Sequence, residues 1–189
     1  MKDFLLSLAP FTDEELSAIL GVSRRKHASA GETMFSPGKP FVKLWFIEKG
    51  LIRAYRVIDG EDYTFFFFTK KDFAVDYQSY LMEENSPLFF EALANTQYLE
   101  FSKKSIEDLY RVYHSFEHIG RLMAEKAYLS ATERVKQFQT ETLELRYQKL
   151  LERDPRLFQQ IPQYHIASYL GVRPQSLSRL RAKLTGKVY

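Results

Sequence analysis

The apolar pattern of this 189-residue chain changes period once, near Ser102. From about residue 30 to 104, apolar residues come in short runs separated by turn formers: Gly31, Pro37-Gly38-Lys39-Pro40, Gly50 and Asp59-Gly60. Asp59-Gly60 lies between YRVI and YTFFFF and is the strongest short-range hairpin signal, because both turn positions tolerate positive φ. Alternation along the second arm puts Tyr63, Phe65 and Phe67 on one face and Thr64, Phe66 and Phe68 on the other. With aromatics on both faces, that strand is expected to be covered on both sides. Short strands at this spacing predict an all-β module. A helix precedes it: Thr12 and Glu15 form a capping box, Phe11 staples onto Leu16, and Leu16, Ile19 and Leu20 make the buried face.

After Ser102 the helical period dominates. Ser105 followed by Asp108 is read as a helix start. Phe116, Ile119, Met123, Ala127 and Ser130 follow 3- and 4-residue steps along one face of a longer helix, with small residues at the later positions. Such a face fits packing onto the β module and equally fits a second copy of the helix; the sequence leaves both open. A further helix over about 141–153 ends before Asp154-Pro155, where proline disfavours continuation.

Composition excludes several chemistries. Without cysteine there is no disulfide, thiolate zinc site, cysteine-held iron–sulfur cluster or catalytic thiol. The longest apolar runs, Leu44–Ile47 and Phe65–Phe68, are far short of a membrane span. Asp13, Glu14 and Glu15 directly after the first apolar stretch argue against a signal or transit peptide, so a cytoplasmic protein is expected. The formal charge of +3 is unevenly spread: residues 1–104 hold 13 Lys/Arg against 15 Asp/Glu, and residues 105–189 hold 14 against 9. After Asp154 no acid remains, while Arg156, Arg173, Arg179, Arg181, Lys183 and Lys187 follow. A basic tail of this kind serves solubility or meets an anionic partner.

Gln163 to Leu180, QYHIASYLGVRPQSLSRL, decides between those two readings. Ile166 and Leu170 form the inner face of one helix, and Ala167 is small enough for a second to cross closely. Gly171 supplies the permissive backbone of the turn, Val172 fills the corner, and Pro174 opens the second helix. Leu177, Leu180 and Leu184 are expected in the core, which leaves Gln175, Ser178, Arg179 and Ala182 on the opposite face. That is a helix-turn-helix with a recognition helix shaped for the major groove. Gln175, Ser178 and Arg179 are the candidate base readers, since Gln pairs with adenine and Arg with guanine in bidentate fashion. Tyr164, His165, Arg173, Arg181, Lys183 and Lys187 are the candidate phosphate contacts.

GETMFSPG (Gly31–Gly38), LWFIEKGLIRAY (Leu44–Tyr55) and IASYLGVRPQSLSRLR (Ile166–Arg181) resemble the Crp/Fnr superfamily of bacterial transcription regulators. The resemblance implies an α+β chain. Its parts are a cyclic-nucleotide-binding-like β-roll (a double-stranded jelly roll) with flanking helices over 1–112, a connecting and dimerisation helix over 113–138, and a helix-turn-helix domain over 139–189. It also implies a homodimer on a palindromic double-stranded DNA operator, with RNA polymerase as a further partner. By position Gln175 and Arg179 match the family's base-reading Glu and Arg, whereas Pro174 replaces a basic contact found in many members. Five residues follow Leu184, so the two-stranded wing is expected to be absent or rudimentary.

The cassette that holds the phosphate of cyclic AMP in such proteins corresponds to Asp72–Leu93, where its Gly-Glu pair and arginine are missing. No Lys or Arg occurs from Asp72 to Ser102, a stretch with six acids, and a buried phosphate needs a cation or donors. No cyclic-nucleotide response is expected. Tyr55, Tyr63, Phe65, Phe67, Tyr77 and Tyr80 could line a pocket for a small neutral or aromatic effector, or simply form core. His114 and His118 project away from the Phe116 face and are read as solvent-facing, so no metal or cofactor is expected. No P-loop, Rossmann glycine run, HExxH or nucleophile elbow occurs, so no enzyme is expected. The alternative to a DNA-binding regulator is a ligand-binding or protein-interaction module whose helix-turn-helix does not read DNA.

Overall fold

The computed structural model describes residues 1–153, 155, 157–184 and 186. Two short helices, α1 (Lys2–Leu6) and α2 (Asp13–Gly21), lead into eight strands. These are β1 (Arg24–Ala28), β2 (Thr33–Phe35), β3 (Lys43–Lys49), β4 (Ile52–Ile58), β5 (Glu61–Phe68), β6 (Phe73–Ala74), β7 (Phe89–Ala92) and β8 (Thr96–Ser102), with α3 (Tyr77–Met82) between β6 and β7. All pairings are antiparallel, in two four-stranded sheets of order β1-β8-β3-β6 and β2-β7-β4-β5. Then come α4 (Lys103–Val112), α5 (His114–Thr140), α6 (Leu143–Arg153), α7 (Leu157–Gln160), α8 (Gln163–Tyr169) and α9 (Pro174–Leu184).

The two sheets close on an aromatic filling. Phe41 stacks on Phe90 at 4.6 Å between ring centroids, and Trp45 meets Phe41 edge-on at 4.9 Å. Ile47, Ile52, Ala54, Ala74, Ala92 and Tyr98 complete this buried layer. The outer face of the first sheet carries a second core: Phe46, Leu99 and Phe101 against Leu5, Leu16, Ile19, Ile106, Leu109 and Phe116 of the helices. A third core lies on the outer face of the second sheet, where Leu51 and Phe67 meet Tyr147, Leu150, Ile161, Ile166, Ala167, Leu170 and Leu177. The C-terminal helices are thus fastened directly to the β-roll.

Locally encoded features take the expected form. Thr12 Oγ1 accepts from Glu15 N–H at 3.2 Å, and Glu15 Oε2 accepts from Thr12 N–H at 2.7 Å, a complete capping box. Asp59 and Gly60 both have positive φ, 52° and 79°, the primed-turn geometry that matches strand twist.

Three expectations are corrected. Leu20 is exposed, because α2 spans only two turns and its buried stripe is already filled by Leu16 and Ile19. Helix α4 begins at Lys103: Ser102 Oγ, not the Ser105 side chain, accepts the capping N–H, from Ser105 at 3.1 Å. Asp108 is engaged by Lys104 and Arg111 instead. Strand β5 does not alternate through its length. Ala54 pairs with Phe66 and Tyr55 with Thr64, leaving Phe65 as a bulge. The extra residue resets the faces, so Thr64 and Phe67 are buried while Tyr63, Phe65 and Phe66 are exposed. Only the C-terminal end of the strand is covered on both faces, Phe67 by the C-terminal helices and Phe68 in part by the roll interior.

Candidate nucleic-acid interface

Helix α8 starts after Pro162, whose carbonyl accepts from His165 N–H at 3.0 Å. It ends where Gly171 N–H reaches Ser168 O and Val172 N–H reaches Ala167 O, both at 3.0 Å. Gly171 has φ +71°, and a Cβ there would lie 2.6 Å from Phe138 Cε1 of α5, so both backbone and space call for glycine. Pro174 is the first residue of α9, where its missing N–H is harmless. Ile166, Ala167, Leu170 and Leu177 are buried between the two helices, with Val172 and Leu180 partly so. Leu184, expected in the core, is exposed, because it lies one turn beyond the last residue that α8 covers.

The outer side of α9 presents Gln175, Ser178 and Arg179 to solvent, with Arg173 exposed at its start. Tyr164 is exposed on α8. Ala182, placed on the outer face by sequence, is half-buried, as is Arg181. Lys183 is exposed, with its Nζ 3.2 Å from Glu144 of α6, a surface pair of little net strength that a phosphate can replace. Lys187 and the expected wing segment lie outside the described residues, apart from Gly186.

His165 does not belong to this surface. It is 4% exposed and faces the β-roll, 2.8 Å through Nε2 from Arg53 Nη1. Burial, then the adjacent Arg53 charge, lowers its pKa from 6.5 to about 4, with Asp62 opposing. A phosphate contact is therefore corrected to an internal one. Arg53 is itself 1% exposed, hydrogen-bonded through Nη2 to Asp62, 3.5 Å from Glu91, and 3.8 Å over the Tyr55 ring. Around it, Thr64 N–H donates to Ser168 Oγ at 2.8 Å, and Ser168 O–H donates to Asp62 O at 2.6 Å. Edge strand β5 thus has its outward N–H and a carbonyl satisfied by α8 rather than left open. Sequence reasoning missed Arg53, Asp62, Glu91 and Ser168. The available signal was a lone cation between Ile52 and Ala54 in an otherwise apolar run.

The six aromatic pocket candidates occupy separate environments. Tyr55 stacks on Phe89 at 5.1 Å, and Phe67 lies 5.3 Å from Tyr169 in the core shared with α8. Tyr63 and Phe65 are exposed on β5, and Tyr77 and Tyr80 stack on each other in α3 at 6.3 Å. In the cassette stretch, Asp76 accepts from Ser79 N–H at 3.3 Å and from Ser86 O–H at 2.7 Å, so a nearly buried carboxylate is already fully engaged there.

Residues 25–113 match the cyclic nucleotide-binding domain family. No curated protein matches the sequence. Solved structures share the fold over nearly the full chain. FixK2 from Bradyrhizobium japonicum is 20% identical, with 88% of this chain and 86% of that one covered and a TM-score of 0.74. The c-di-GMP responsive regulator CLP of Xanthomonas campestris is 14% identical over 93% and 92%, at 0.69. The Thermus thermophilus catabolite activator protein is 19% identical over 97% and 87%, at 0.61. The chain shares their fold: a β-roll, matched as a cyclic nucleotide-binding domain over residues 25–113, followed by a long helix and a helix-turn-helix.

Proposed function

We propose that this protein is a sequence-specific DNA-binding transcription regulator that works as a homodimer and does not respond to cyclic nucleotides. The observation that carries the reading is the outer side of α9, where Gln175, Ser178 and Arg179 stand free of the core on a helix whose inner side is locked by Leu177. Hydrogen-bonding side chains on the first turns of the second helix of such a motif reach base edges, and Tyr164, Arg173, Arg181 and Lys183 flank them for phosphates. Dimerisation is supported by α5. Phe116 and Ile119 are buried on the roll, but beyond them Tyr128 and Val135, seven residues apart, are 71% and 56% exposed, with Leu129 beside them. Each open reading of that helix thus accounts for one half of it. A two-fold dimer calls for a palindromic operator with half-site centres about 34 Å apart or a multiple of that.

The absence of a cyclic-nucleotide response is supported by the engaged Asp76 carboxylate and by a roll interior filled with Phe35, Phe41, Trp45 and Phe90. An anionic phosphate beside that carboxylate would face repulsion with no cation from Asp72 to Ser102 to offset it.

The test compares wild type and Arg179→Ala on the selected duplex and on random duplex by fluorescence anisotropy. Loss of one bidentate base contact should cost about 1–3 kcal/mol on the selected site and little on random DNA. An unchanged ratio of the two affinities would remove Arg179 from base reading. Absence of any salt-dependent duplex binding would favour the interaction-module reading.

A further inference from the structure

A cavity of about 70 Å3 lies where α5, α6 and the end of α8 meet. That is several times the ~15 Å3 a single water requires, and it has room for one tetrahedral oxyanion. Its wall is strongly basic, with Arg134 from α5 and Arg146, Lys149 and Arg153 from α6.

The arginines converge on two rings. Arg134 lies 4.1 Å over Tyr169 and donates to the Tyr169 carbonyl at 3.0 Å. Arg146 lies 4.7 Å over Phe138. Arg153 Nη1 is 3.5 Å from the Tyr169 hydroxyl. Two carboxylates face the cluster: Lys149 engages Glu133 and Oε1 of Glu141, while Oε2 of Glu141 is buried without a hydrogen-bond partner. Among the described residues, none of the three arginines has a carboxylate within ion-pair distance. The Nε of Arg146 is buried and has no hydrogen-bond partner at all.

Converging like charges beside a half-filled hydrogen-bonding set are costly unless an anion completes them. Burial lowers the Arg134 pKa, and Arg153 and Arg146 add to the depression while Tyr169 opposes it. Guanidinium forks match tetrahedral oxyanions bidentately, and their stacking on Phe138 and Tyr169 fixes their planes in advance.

We propose that this cavity binds a phosphoryl group, as inorganic phosphate or as part of a small phosphorylated molecule, held by Arg146 and Arg153 with Arg134 behind them. The ligand bridges the long helix to the helix-turn-helix domain beside Tyr169, and so stabilises this arrangement of the two. The site is separate from the outer face of α9 and stands whether or not that face reads DNA.

The experiment is isothermal titration calorimetry of the full chain, without DNA, with inorganic phosphate against chloride at matched ionic strength. Saturable binding to one site is expected, weakened at least tenfold in Arg146→Gln and in Arg153→Gln and unchanged in Lys104→Gln on α4. Arg153 is exposed, so its variant carries the test should Arg146→Gln fold poorly. A parallel titration with glycerol 3-phosphate separates the sources: tighter binding than phosphate assigns a phosphorylated molecule, and weaker binding assigns the free ion. No saturable binding, or binding indifferent to both arginine variants, would overturn the proposal. So would variants that keep phosphate but lose duplex DNA, since the cluster would then be a backbone contact.

Discussion

Acidification should loosen the contact between the helix-turn-helix and the β-roll, and the size of the effect follows from His165. In the folded chain its ring is neutral because burial and Arg53 bring its pKa from 6.5 down to about 4. The unfolded chain takes up a proton near 6.5, so between about 6.5 and 4 the unfolded state binds more protons. Stability from this group is therefore intact above the upper value and is lost as pH falls through the window. From pH 7 to pH 5 the full shift is worth about 2 kcal/mol at about 1.4 kcal/mol per unit. Asp62 opposes this shift but is 42% exposed, so solvent screens its pull and the figure stays at about 2 kcal/mol. Urea unfolding of wild type and His165→Gln at both pH values measures this. Carboxylates elsewhere titrate equally in the two chains, so the difference between their pH effects belongs to position 165. The glutamine variant should lose about 2 kcal/mol less than wild type on going from pH 7 to pH 5. Equal losses would refute the placement of His165 against Arg53.

Other outcomes follow from the same geometry. Gly171→Ala meets both a left-handed backbone and Phe138, and should lower stability by about 1–3 kcal/mol in thermal denaturation. Leu177→Ala removes a fully buried side chain and should cost about 2–5 kcal/mol, whereas Leu184→Ala, at an exposed position, should cost under about 1 kcal/mol. Leu129→Glu with Val135→Glu on α5 should convert a two-chain species to a single chain in sedimentation equilibrium while leaving the circular dichroism spectrum unchanged.

What was legible in the sequence was what neighbours along the chain decide. The Asp59-Gly60 hairpin, the Thr12–Glu15 capping box and the Ile166–Leu177 helix-turn-helix all rest on contacts within a dozen residues, and their side-chain chemistry names them. The bulge at Phe65 is not of that kind. It depends on how β5 registers against β4, and one extra residue moves Phe65 and Phe66 to the solvent side. Ser102 outcompetes Ser105 as the cap because β8 delivers the chain there in an extended conformation, a consequence of sheet pairing. Among the interface candidates, Gln175, Ser178 and Arg179 fall where helical projection put them. His165 does not, because its partner Arg53 is 112 positions away, on strand β4 of the roll. A histidine in a basic tail reads as a phosphate contact until the opposing strand is in view.

The most direct test of DNA recognition by α9 is selection from a pool of random duplexes with the full chain, repeated with Arg179→Ala. Enrichment of a palindrome with half-site centres about 34 Å apart, and loss of preference at one base pair of each half in the variant, is the expected result. No enrichment by the wild-type chain, or an identical motif from both proteins, would contradict it.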